Sequence, residues 1–127
     1  MKKIFKIDLD IFPGTFIVAV GFNTKELKRK LVKFGKFEYH DDFDIDDCEG
    51  QCSFYRIGKR NTAIIAIGKF KKNPYDISVV VHEALHAVNY ILGCAGIELT
   101  RNRASDETFA YTQDYVVRKI LEQLWKK

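Results

Sequence analysis

Two imidazoles and a carboxylate stand together in His82-Glu83-Ala84-Leu85-His86, a stretch that holds two of the three histidines in the chain. On a helix, positions i and i+4 fall about 40° apart on one face, so both rings can reach one tetrahedral Zn²⁺. Glu83 is rotated off that pair and can address a water on the metal as its proton acceptor. A lone histidine on a helix is usually an ordinary helix residue. This pair gains chemical meaning from the glutamate beside it and from the helix that must carry it.

That helix is legible. Asn73-Pro74-Tyr75-Asp76 supplies an N-cap, a proline at the first helical position and an acid at the third. The helix is expected to run from Pro74 to Leu92, burying Ile77, Val80, Val81, Ala84, Leu85, Val88 and Ile91, with Gly93 as its stop. A catalytic zinc needs a third protein ligand and one open position. Ala87 to Gly93 offers none, and no third histidine lies six residues after His86. The next candidates are Glu98, in a short polar connection, and Asp106 and Glu107, where Ser105-Asp106-Glu107-Thr108 is expected to open a second helix with Ser105 as N-cap. The apolar stripe of that helix, Phe109, Gln113, Val116, Ile120 and Leu124, lies nearer in phase to Asp106 than to Glu107.

His82-Glu83-x-x-His86 resembles the signature of the zincin metallopeptidases, and Glu107-Thr108-Phe109-Ala110-Tyr111 resembles the Glu-x-x-Ala-Tyr element of small phage and bacterial zincins, some from mobile elements. Glu107 follows His86 by 21 residues, similar to gluzincins, in which a glutamate on a following helix completes the metal shell. The resemblance covers about residues 62–120. It implies a minimal zincin that hydrolyses peptide bonds, on a narrow protein target or more generally, with Zn²⁺ held by His82, His86 and Glu107 and with Glu83 as general base. In zincins the strand before the metal helix usually pairs with extended substrate, a role the resemblance implies for Thr62 to Gly68; an ordinary sheet strand is equally compatible. The chain departs from larger gluzincins at Tyr111, where they often carry an acid that orients a ligand histidine. Asn89, Asp76 and Asp114 are left as possible orienters. No downstream histidine is available as an oxyanion donor; Tyr111 or Tyr115 could serve, and aromatic packing suits both.

The elements around this centre suggest one α+β domain, a small antiparallel-containing sheet packed on the metal helix and a C-terminal helix. With 127 residues, 46% of them hydrophobic, the chain can bury a core as a single unit, residues 1–127. Ile4 to Phe12 and Thr15 to Phe22 read as strands about Pro13-Gly14, and Asn23-Thr24-Lys25-Glu26 caps a basic helix to about Phe34. Phe54 to Gly58 and Thr62 to Gly68 read as a second hairpin. Lys6, Asp8 and Asp10 interrupt any signal-peptide core, and three cysteines, Cys48, Cys52 and Cys94, suggest free thiols in the cytoplasm. A metal site of Cys48, Cys52 and His40 is an alternative use of two of them.

Asp41 to Glu49 is strongly acidic but fails as an EF-hand, because Asp47 and Ser53 stand where glycine and glutamate are needed. It reads as a solvated loop, with a structural cation or a bias toward basic peptides as alternatives. The formal charge of +4 is scattered over Lys28-Arg29-Lys30, Lys69 to Lys72, Arg101 to Arg103 and the C-terminus, which gives little support to a nucleic-acid-binding accessory protein. Another rival is a catalytically silent zinc-binding regulator or decoy, against which Glu83 speaks. Peptide or protein is the expected partner, with no membrane.

Overall fold

A computed structural model of the chain describes residues 1–39, 43–98 and 103–126. The elements are β1 (Lys3–Asp8), β2 (Gly14–Val20), α1 (Thr24–Leu31), which tightens into a 3₁₀ turn over Val32–Phe34, then β3 (Gly50–Ile57), β4 (Arg60–Ile67), α2 (Pro74–Cys94) and α3 (Arg103–Trp125). The class is α+β. The four strands form one mixed sheet in the order β1-β2-β4-β3, with β2 and β4 parallel and the two outer pairs antiparallel.

The two central strands are apolar runs because both their faces are covered. In β2, Phe16, Val18 and Val20 enter a core with α2 and α3, while Ile17 and Ala19 enter a second core with α1. β4 repeats the alternation, with Ile65 and Ile67 on the first side and Ile64 and Ala66 on the second. Val80, Ala84, Ala87, Val88 and Ile91 of α2 and Phe109, Val116, Ile120 and Leu124 of α3 complete the larger core. By length and composition α2 could also cross a membrane; its buried residues here pack on the sheet and on α3.

The first hairpin pairs Asp8 with Thr15, and a five-residue loop from Leu9 to Pro13 replaces the expected tight turn. The second turns on Gly58-Lys59, with Gly58 at φ +59° and Ile57 opposite Arg60. The capping box on α1 is present: Asn23 Oδ1 accepts the Glu26 N–H and Glu26 returns a bond to the Asn23 N–H.

Several expectations are corrected. α2 continues past Gly93 to Cys94, and the left-handed residue after it is Gly96, at φ +80°. Val81 and Leu85 are not core residues but are 40% and 50% exposed, because the sheet takes the face that carries Glu83 and Ala87 instead. Ser105 is not an N-cap: α3 is already formed at Arg103, and Thr108 Oγ1 bonds back to the Ala104 carbonyl at 2.9 Å within the helix. β4 cannot accept a substrate strand, because β2 and β3 occupy both its edges, as the ordinary sheet-strand alternative has it; the edge strands are β1 and β3, and β3 is the one that lies beside Glu83.

The acidic stretch is less solvated than its composition suggests. Phe43 and Ile45 are buried in the smaller core, and Asp44 and Asp46 turn back to α1. Asp46 Oδ1 accepts the N–H and hydroxyl of Thr24, and these bonds hold its carboxyl below the ordinary aspartate range. Asp41, Asp42 and His40 lie outside the described residues.

Candidate metal centre and cleft

The start of α2 is set by sequence-local bonds: Asn73 Oδ1 accepts the Asp76 N–H at 2.8 Å, and Pro74 occupies the first turn, where its missing donor costs nothing. Two turns on, the core has claimed one face of the helix and leaves His82 and His86 on the other, both exposed. Their Nε2 atoms stand 3.2 Å apart and their rings are nearly perpendicular, at 77°. Two nitrogens at zinc-bond length around a tetrahedral centre are separated by about 3.3 Å. The pair therefore has the spacing a tetrahedral metal needs. The same distance lets one ring donate a proton to the other, so acid and metal compete for these lone pairs.

Glu83 is placed differently. It is 8% exposed, and its Oε1 lies 4.0 Å from His82 Nε2. Burial pushes its carboxyl above the ordinary glutamate range, opposed by the two histidines. No described residue donates it a hydrogen bond. What lets it sit so deep is Gly50, the first residue of β3: a Cβ there would fall 2.7 Å from Val79 Cγ1 and 2.9 Å from Glu83 Cγ. The carboxyl thus lies against bare backbone at the start of the free-edge strand.

A cleft of about 510 Å³ opens above it, lined by Glu49, Gly50, Tyr75, Ser78, Val79, His82 and Glu83. The Tyr75 hydroxyl donates to Glu49 Oε2 across one end. Tyr75 precedes His82 by seven residues, two helical turns on the same face, a spacing that could have been read from sequence. Glu49 and Gly50 carried no such signal, because only tertiary pairing brings β3 to α2.

The structure brings His82, Glu83 and His86 together and does not bring Glu107 to them. Among the described residues, no three His, Cys, Asp or Glu side chains converge on a common metal position. Glu98, Asp106 and Glu107 are all exposed. Tyr111 is 71% exposed and does not line the cleft, while Tyr115 packs against the larger core with Lys119 above its ring. Of the suggested orienters, Asp76 accepts the Lys71 N–H and Asp114 lies 3.8 Å from Arg118; Asn89 is exposed. Cys48 donates to the Ile45 carbonyl, Cys52 is packed against the core with its thiol pushed up to about 12 by burial, and all three cysteines are free. Comparisons of the chain with protein-family models, curated proteins and solved structures find no match.

Proposed function

We propose that the protein is a zinc-dependent peptide hydrolase, a minimal zincin of gluzincin-like design. The observation that carries this reading is the pair of Nε2 atoms 3.2 Å apart beside a buried carboxyl that accepts no hydrogen bond from any described residue. Two neutral imidazoles are a natural donor set for zinc, and His82 and His86 would hold it through Nε2. Bound there, zinc supplies Lewis acidity for a scissile carbonyl and lowers the pKa of water toward neutrality.

Glu83 takes the proton from the attacking water on its carboxylate and returns it to the leaving amine. Its burial suits that task, because a base pushed above the ordinary carboxylate range holds a proton long enough to pass it on. The free edge of β3 lies beside this carboxyl and can pair with an extended peptide backbone.

Glu107 is our third ligand. Trp125, at the end of α3, stacks edge-on with Phe70 just before α2, so the helices run antiparallel, and Gln113 Nε2 donates to the Val81 carbonyl. Six residues before Gln113, Glu107 stands further along α3 toward the His86 end of α2; its carboxylate does not meet the two rings and would have to turn to them on zinc binding. It shares a row with Ala110 and Asp114, which border the groove at Val81.

Glu83→Gln tests the reading. It keeps size and hydrogen-bonding capacity but cannot take the proton, so zinc content should hold while cleavage of a mixed peptide library falls at least ~100-fold. A parent that binds zinc and cleaves nothing would make the protein a silent zinc binder.

A further inference from the structure

The cleft beside His82 continues past Tyr75. Glu49, Tyr75 and Val79 also line an adjoining hollow of about 740 Å³ that reaches Phe22 after β2 and Asp46 and Asp47 before β3. Its lining holds five carboxylates against two lysines, Lys2 and Lys69, and most of the carboxylates are engaged: Glu26 pairs with Lys2, Asp46 holds Thr24, and Asp76 accepts the Lys71 N–H. Asp47 and Glu49 have no cationic partner among the described residues. Glu49 is held in place by the Tyr75 hydroxyl, and Tyr75 itself is 58% exposed. In the cleft that shares Glu49 and Tyr75 with this hollow sits Glu83, nine-tenths buried and without a hydrogen-bond donor among the described residues.

A fixed carboxylate beside an open phenol ring is the chemistry that recognises an organic cation, by charge on one side and by ring stacking on the other. We propose that this joined groove receives a lysine or arginine side chain of the substrate peptide, with Glu49 as the specificity-determining residue and Tyr75 as the surface on which the side chain lies. The inference rests on the hydrolase reading, which supplies the peptide. An acidic side chain in the same place meets Glu49 and Asp47 and is rejected, so the groove selects by repulsion as well as attraction.

The test is equilibrium binding to the full-length, metal-free protein, which cleaves nothing. Labelled ten-residue peptides that differ only in carrying lysine, glutamine or glutamate at one position, moved along the sequence, are compared by fluorescence anisotropy. At the best position the lysine peptide should bind ~5-fold or more tightly than the glutamine peptide, a ratio that shrinks in high salt. Glu49→Gln should collapse the ratio, while Asp10→Asn, at the opposite end of the sheet, should preserve it; circular dichroism checks that both variants are folded. Equal binding of the three peptides, or a preference that survives Glu49→Gln, overturns the subsite. The zinc-loaded parent is then assayed for cleavage of the same peptides. A lysine preference in binding without any cleavage supports the groove and overturns the hydrolase reading, whereas cleavage indifferent to lysine overturns the groove alone.

Discussion

Replacing Gly50 by alanine probes the contact that seats Glu83, the proposed general base. The added methyl would stand 2.7 Å from Val79 Cγ1, 2.9 Å from Glu83 Cγ and 3.2 Å from Glu83 Oε1. Ordinary carbon contacts begin nearer 3.5 Å, so two groups must move by several tenths of an ångström. Val79 is stiff, because a β-branched side chain in a helix has essentially one χ1 rotamer. Glu83 is the softer partner and should swing outward. Overpacking of this kind costs about 1–3 kcal/mol, which for a chain of this size lowers the melting temperature by roughly 3–12 °C. Thermal unfolding of the metal-free variant reads the cost, and kcat/KM against zinc content reads the displacement: stability and activity should both fall while zinc binding holds. Adding Val79→Ala should recover part of the stability, and because the residues touch, the two substitutions should be non-additive. A Gly50→Ala protein that melts within a degree of the parent and retains full activity would show that β3 does not press on Glu83.

Three other outcomes follow from the same structure. Glu107→Ala should weaken zinc binding by more than the ~100-fold that loss of an orienting hydrogen bond costs, while Asp106→Ala, in the first turn of α3, should cost only ~0.3–1 kcal/mol of stability; the reverse pattern in a zinc competition titration would move the ligand to Asp106. Asp8 is held below the ordinary aspartate range by the Thr15 hydroxyl and then by Lys6 and Arg60, so the stability it contributes is present above about pH 4 and is lost as pH falls through its lowered value; urea titrations from pH 5 to 2.5 should show a shallower loss for Asp8→Asn, and identical slopes would contradict the assignment. Cys52, partly buried with its thiol pushed up to about 12, should react far more slowly with iodoacetamide at pH 8 in the folded than in the unfolded protein, whereas exposed Cys94 should react readily in both, as peptide mass mapping can show.

The sequence was most legible where structure is local. The N-caps Asn23 and Asn73, the helical phase of His82 and His86, and the stripe from Phe109 to Leu124 all depend on residues a few positions apart, and each appears where periodicity places it. What could not be read depends on pairing between distant segments. β4 is apolar because it is a parallel central strand, yet from sequence an apolar strand just before the His82–His86 helix is equally compatible with a substrate-binding edge. Only the sheet order shows that the edges are β1 and β3 and that β4 is interior. Gly50 and Glu49 matter because β3 lies against α2, a relation with no periodic trace. The apolar Val81 and Leu85 looked like core for a similar reason: which arc of an apolar helix faces the sheet is decided by the sheet, and the arc chosen carries Glu83.

Zinc stoichiometry tests the central claim most directly. Metal-free parent, His82→Ala and His86→Ala proteins are titrated with Zn²⁺ at neutral pH against a chromophoric chelator, with circular dichroism confirming that each is folded. Parent protein should take up about one equivalent, losing it as pH falls and the imidazoles protonate, and each single-histidine variant should compete at least ~100-fold less well. A folded parent that takes up no zinc, or a His82→Ala protein that binds it as tightly as the parent, would contradict the account.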